Sequence, residues 1–266
     1  MRIKSFLLIV VICIWALPVI PVMSGELTGR SIIKEQQKRH QSDNEFSDVV
    51  LTLIDRKGKQ KKQEMVIYLS KFNGKSKTLI QYHKPANIRG VGLLTWEQGK
   101  NKEDDQWLYL SASRSIKRIA GGSKKNQFMG TDMAFEDMRP ENTDVHKYTL
   151  TGEETIFSKK CWKIESIPST KKEKKASGYG KRIMWVDQSN FFTLKVEYYD
   201  HHNRHIKTAI FEDIRPLTKQ LCRSFKVTWN RIRHKTTTIM NYGKIDLKIV
   251  HKNIIFTQNY MKRPIR

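Results

Sequence analysis

Apolar residues recur at every second position along most of this chain, and that period admits only a protein built on β-strands. Val49, Leu51 and Leu53 interleave with Val50, Thr52 and Ile54. After the turn Arg56-Lys57-Gly58-Lys59, the strand returns through Met65, Ile67 and Leu69, a hairpin. Asn73-Gly74 marks the next turn, and 78–83, 91–96, 107–110 and 116–120 continue the pattern. After a less regular interval it resumes at 147–151, 161–166, 181–186, 193–199, 205–213, 223–229 and 236–242. Roughly ten or eleven strands with only short helices imply one large antiparallel sheet. A sheet of that width must curl or split. Strands such as Val91–Trp96 and Lys181–Val186 are apolar on both faces, so the inner face needs a cover. A mainly β half-barrel follows, an open, curled antiparallel sheet with short helices over its concave face. One helix is expected over Ser31–Gln41, with Ser31 as its cap, and a last helical turn within Phe256–Arg263.

The first residues address the chain. Arg2 and Lys4 precede an apolar run from Phe6 to Leu17, broken by Pro18 and Pro21, and Val22-Met23-Ser24 offers a cleavage site. That is the pattern of a secretory signal peptide over 1–24, and the run is short for a membrane span of about 20 residues. Ile12 before Cys13 argues against a lipidation site. Cleavage leaves 25–266 as a single domain in an oxidising compartment, the periplasm. There Cys161 and Cys222 are either free buried thiols or a disulfide, which would contribute about 4 kcal/mol by closing the loop between them.

The formal charge is +24, with 50 Lys and Arg against 26 Asp and Glu, and it stays at +22 without Arg2 and Lys4. Such a chain attracts anionic partners. Export and the absence of a nucleic-acid-binding motif exclude nucleic acid, which leaves an anionic membrane surface or an acidic partner.

The interval between the two strand series holds the candidate site. Phe128-Met129-Gly130-Thr131-Asp132-Met133-Ala134-Phe135 carries four bulky apolar groups on a segment too polar for a core strand. Gly130 supplies hinge freedom, and methionine adapts to varied acyl chains. Phe128, Met129, Met133 and Phe135 therefore form either a movable cover over an apolar cavity or permanent core. Helical turns are expected within Met133–Met138. Trp96, Trp107, Tyr109 and Trp185 are either lining of that cavity or ordinary cross-strand packing. Arg89, Arg114, Lys117 and Arg118 are candidates to hold an anion, or to latch the cover by pairing with Asp132, Glu136 and Asp137. Otherwise they are solvated surface.

The phrases Arg89-Gly-Val-Gly-Leu-Leu-Thr-Trp96, Asp104-Asp-Gln-Trp-Leu-Tyr-Leu110, Lys117-Arg-Ile-Ala120 and Gln127-Phe-Met-Gly-Thr-Asp-Met-Ala-Phe-Glu-Asp-Met138, in that order and spacing, resemble the bacterial outer membrane lipoprotein-sorting proteins, relatives of the LolA-like carriers. The likeness runs from about Phe46 to Arg263, although Thr131 stands where Ser is usual. It implies the LolA-like half-barrel and a periplasmic carrier of lipid or lipoprotein cargo, working beside an inner-membrane lipid transporter. It implies no cofactor.

His201 and His205 would suit zinc on a helix, but Asp200-His201-His202-Asn203 reads as a hairpin turn, so no metal is expected. Nucleophile elbow, Cys–His pair, phosphate loop and paired carboxylates are all missing, so no enzyme is expected either. The alternative to a carrier is an accessory protein that docks on a transporter or anionic membrane through its basic surface.

Overall fold

Every strand segment named above falls in one antiparallel sheet of thirteen strands, more than the ten or eleven expected. The computed structural model describes residues 27–99 and 102–263. The expected signal peptide, 1–24, lies outside them. The first series is β1 (Asn44–Ile54), β2 (Gln60–Phe72), β3 (Lys75–Lys84), β4 (Gly92–Trp96), β5 (Asp105–Leu110) and β6 (Ser115–Ile119). The second is β7 (His146–Ile156), β8 (Lys159–Pro168), β9 (Lys181–Asp187), β10 (Thr193–Tyr199), β11 (His205–Pro216), β12 (Cys222–Arg231) and β13 (Thr236–Asp246). Each series is a meander, and pairing of β1 with β13 joins them. The spatial order runs from β6 through β1, then β13, and back to β7.

That order leaves β6 and β7, consecutive in the chain, at opposite edges of the sheet. Laid flat, thirteen strands span about 58 Å. The connection 120–145 contains three 3-10 turns, Gly121–Lys125, Phe135–Met138 and Thr143–Val145, so it reaches far less than an extended chain. The sheet curls, and the connection crosses its concave side. Ion pairs then fasten the two ends without closing a barrel. Glu103, before β5, pairs with Lys124 at 3.2 Å and with Lys172 at 3.3 Å. Lys172 lies on α2 (Lys171–Ala176), which follows β8. Arg139 bridges Asp104 at 3.8 Å and Glu173 at 3.7 Å.

The main core fills the trough. Leu51, Met65, Leu93 and Leu108 from one series meet Ile164, Val186, Val227 and Trp229 from the other. The first helix, α1 (Gly29–Arg39), lays Ile32 and Ile33 into it. Its cap is Thr28; the expected cap, Ser31, is instead the third helical residue and closes a capping box with Thr28. The helix starts earlier because it presses on β7 there: a Cβ on Gly29 would stand 2.9 Å from the Leu150 backbone nitrogen. The C-terminal segment, a 3-10 turn at Asn253–Phe256 and α3 (Gln258–Met261), packs Phe256 and Met261 on the convex face of β3–β5. Cys161 and Cys222 are free thiols, and no disulfide forms. They sit on β8 and β12, with three strands between.

Burial pushes His40, His83, His146 and His251 below the usual imidazole value. His146 is the deepest, with Arg182 donating to its Nε2 at 3.1 Å. A depressed folded value means that the unfolded chain binds protons first as pH falls. This contribution to stability is full above about pH 6.5 and declines below it. Glu136 and Asp104, raised by burial, act in the opposite sense in the carboxylate range. The urea midpoint is therefore expected to fall from about pH 7.5 to about 5.5, and His146→Gln should flatten that slope.

Candidate functional site

The connection that crosses the trough must satisfy its own backbone in apolar surroundings. It does so by doubling back. Phe128 N–H donates to Met133 O at 2.8 Å, Thr131 N–H to Phe128 O at 2.9 Å, and Phe135 N–H to Asn126 O at 3.1 Å. Gln127 and Ala134 form an isolated bridge. The tip needs left-handed backbone at Met129 (φ 46°) and Gly130 (φ 76°), and glycine takes that conformation without strain. This fold drives Phe128 (0% exposed), Met133 (1%) and Phe135 (6%) into the main core. Met129 is half-buried, and Gly130 faces solvent. Phe128 lies 5.6 Å from Phe135 and 5.9 Å from Tyr82, ring to ring. The buried Tyr82 hydroxyl has no hydrogen-bond partner among the described residues.

All three expected acids hold the cover, but not through the expected cations. Asp132 accepts from the hydroxyls of Thr236 and Thr238, and its N–H donates to Thr238 Oγ1 at 2.9 Å. Glu136 accepts from Ser177 Oγ at 2.7 Å and Gly178 N–H at 2.8 Å. Asp137 accepts from Ala134 N–H, from Tyr179 Oη at 3.0 Å and from buried Lys207. Burial, with Asp137 alongside, keeps the Tyr179 phenol far above its usual value and so a donor. Lys207 also stands 4.3 Å from the Tyr198 ring centre. These partners had one sequence signal: Lys207, Thr236 and Thr238 share the strand parity of core residues Ala209 and Met240.

The expected cations lie elsewhere. Arg118 pairs with Asp105 across β5–β6, and Lys117 is exposed on β6. Arg89 and Arg114 meet Lys262 and Arg263 around an open depression of about 720 Å³. No described carboxylate side chain lines it.

The aromatic candidates do not join the cover. Leu108 points into the trough, so Trp107 and Tyr109 take the other face. There they pack with Trp96, Phe256 and Met261, and Trp96 Nε1 donates to Phe256 O at 2.9 Å. Trp185 belongs to a third cluster with Cys161, Ile183 and Leu194. His201 Nε2 contacts Ser177 O, and His205 Nε2 contacts Lys207 O and Thr208 Oγ1.

Beside the cover, a cavity of about 410 Å³ opens between the tip and the β10–β11 and β12–β13 turns. Met133, Ala134, Ile206 and Ile232 supply its apolar wall, and Ile232 is 47% exposed. It is the mouth of the trough.

A family model described as "Uncharacterized protein" matches residues 74–263, well over half of the chain. The chain belongs to that family. Among solved structures, it is similar to a domain named as an outer membrane lipoprotein-sorting protein from Vibrio parahaemolyticus. The two are 24% identical with a TM-score of 0.82, covering 88% of this chain and 98% of that one. A DUF1329 family protein from Desulfovibrio piger scores 0.81 at 24% identity, over 88% and 97%. A LolA superfamily protein from Nitrosomonas europaea scores 0.68 at 19% identity, over 88% and 99%. The fold is therefore LolA-like. Among curated proteins, none matches the sequence.

In this LolA-like fold the two ends of the cover are held unequally. Asp137→Asn leaves Lys207 buried without its counter-charge, a loss of about 3–5 kcal/mol. Asp132→Asn replaces hydrogen bonds from neutral hydroxyls and costs about 1–2 kcal/mol. Urea titration should rank them so. Hydrogen exchange of the Phe128, Thr131 and Met133 amides should accelerate in Asp132→Asn by more than its loss of global stability accounts for.

Proposed function

We propose that this protein is a non-enzymatic periplasmic carrier that takes lipid or lipoprotein acyl chains into its trough. The observation that carries the reading is the cover: an apolar plug on a folded-back, glycine-containing loop, beside an open mouth. The tip from Gln127 to Met133 is the part that moves. Its hold on the sheet is Asp132, whose partners are neutral and which is rehydrated on leaving. Phe135–Met138 stays, because withdrawing Asp137 strands Lys207.

Magnitudes support that division. Exposing Phe128 and Met133 costs about 3–6 kcal/mol. A buried methylene returns about 0.8 kcal/mol, so roughly four to eight methylenes offset the opening. An ordinary acyl chain has more. The Tyr82 hydroxyl, unpartnered beside Phe128, would gain an acceptor from an acyl ester carbonyl. The expected family association makes an inner-membrane lipid transporter the donor of the cargo.

Native mass spectrometry of protein released gently from the periplasm should show bound lipid, and Phe128→Asp should abolish it. Protein that is always empty and refuses acyl probes overturns the reading.

The depression at Arg89, Arg114, Lys262 and Arg263 favours a second role, docking on an anionic membrane surface or acidic partner. Binding to anionic vesicles should be salt-sensitive and survive Phe128→Asp. The double change Arg89→Ala and Arg114→Ala should weaken it roughly tenfold or more in low salt, read by co-sedimentation.

A further inference from the structure

The mouth of the trough has a chemistry that a cover alone does not need. Five cations line it, Lys125, Arg204, Lys207, Arg231 and Arg233, against two carboxylates, Asp132 and Asp200. Most of these charges are already engaged. Asp132 is held by Thr236 and Thr238. Arg204 pairs with Asp200 at 2.7 Å, and the Arg204 backbone and side chain bring the Asp200 carboxyl down to about 2. Lys207 is committed to Asp137 and Tyr179. Lys125, Arg231 and Arg233 remain, and among the described residues they form no ion pair.

Their placement is set by the strands. Arg231 ends β12 opposite Lys207 of β11, and Arg233 lies in the turn before β13. Lys125 ends the 3-10 turn that leads into the cover. Two chain segments, the β12–β13 hairpin and the turn leading into the cover, thus bring uncommitted positive charge to the rim of one cavity. The wall below is apolar: Met133, Ile206 and Ile232. Ile232 N–H donates to Ile206 O at 3.0 Å, which holds the apolar turn beside the arginines.

A cationic rim over an apolar wall that ends at the cover tip is complementary to an amphiphile with an anionic head. Arginine suits phosphate in particular, because its planar fork presents paired donors to two oxygens. We infer that the cargo bound here is an anionic amphiphile, a phosphate-bearing lipid, with its head on Arg231, Arg233 and Lys125 and its chain entering past Met133. This rests on the carrier reading and narrows it. The uncharged diacylglycerol-type anchor of a lipoprotein would leave the rim cations without a partner.

The test uses the full mature chain and mixed vesicles containing phosphatidylglycerol and diacylglycerol with identical acyl chains. The protein is re-isolated and its lipid quantified. Phosphatidylglycerol should be enriched over diacylglycerol by about tenfold or more, and the double change Arg231→Gln and Arg233→Gln should remove that enrichment. Uptake of diacylglycerol by the variant shows that it is folded and loads. Lys75→Gln with Lys219→Gln, which removes the same charge from the start of β3 and the β11–β12 turn, at the opposite strand ends, should keep the enrichment. Inorganic phosphate at the same phosphate concentration should not compete, since it brings no chain. Equal uptake of the two lipids by the unaltered protein overturns the head-group assignment and leaves the carrier standing. So does an enrichment lost equally in the Lys75 and Lys219 variant. Uptake of neither lipid overturns both.

Discussion

Two edge strands that are neighbours in the chain and strangers in the sheet set the terms for this molecule. β6 and β7 lie at the two ends of a thirteen-strand order, and 120–145 must connect them. A connection of that length, carrying three 3-10 turns, forces the sheet to curl toward it. It also places polar backbone inside an apolar trough, where each unpaired amide would cost about 1–3 kcal/mol. The folded-back loop around Phe128 answers that cost, and so do the acids that tie its ends to the sheet. Cover, curl and latch are three consequences of one connectivity.

The same constraint explains where a chain of +24 spends its few carboxylates. Glu103, Asp104, Glu136, Asp137, Glu141 and Glu173 gather around one cavity of about 350 Å³, where the sheet ends meet. They fasten the seam to Lys124, Lys172, Arg139, Arg182 and Lys207. Burial raises Glu136 and Asp104, which marks the desolvation that this fastening requires. Strand pairing could not have closed the seam, because the edges are bridged by loops and by α2. Charge does what the ladder cannot, and most cations are left for the outer surface.

Strand periodicity was legible because period two is local: each named segment lies within, or runs one residue past, an observed strand. What a strand pattern conceals is which face turns inward. For Trp96, Trp107 and Tyr109 the sequence left cavity lining and cross-strand packing both open. Phe256 and Met261, some 150 residues further on, cover the aromatic face and decide for packing. The acids of the latch were legible as acids beside an apolar plug. Their partners were not, since sequence proximity favoured Arg114, Lys117 and Arg118. The curl instead supplies Tyr179, Lys207 and Thr238, which stand 42, 70 and 106 residues from the acids they hold. The lengths of β7 and β8 fell short for a local reason: the segments 147–151 and 161–166 do not reach the ends of strands that run to Ile156 and begin at Lys159. β7 and β8 join through Phe157-Ser158, both at positive φ (48° and 63°), without the Asn-Gly signature of that turn.

A trough already filled by its own side chains has a thermodynamic consequence for any carrier. On the proposed carrier reading, acyl methylenes that enter do not fill a void; they replace Phe128 and Met133, which pass toward water. Capture is then an exchange of one buried apolar surface for another, and its net free energy is a fraction of the gross burial. A preformed empty cavity would hold cargo more tightly and, when empty, would forfeit the packing that keeps the sheet together. Exchange keeps the empty protein stable and the loaded one able to release. It also shifts the burden of selectivity away from the interior, where one chain resembles another. On that reading discrimination falls to the rim, where charge is set at the ends of β11 and β12 and not on the proposed moving tip.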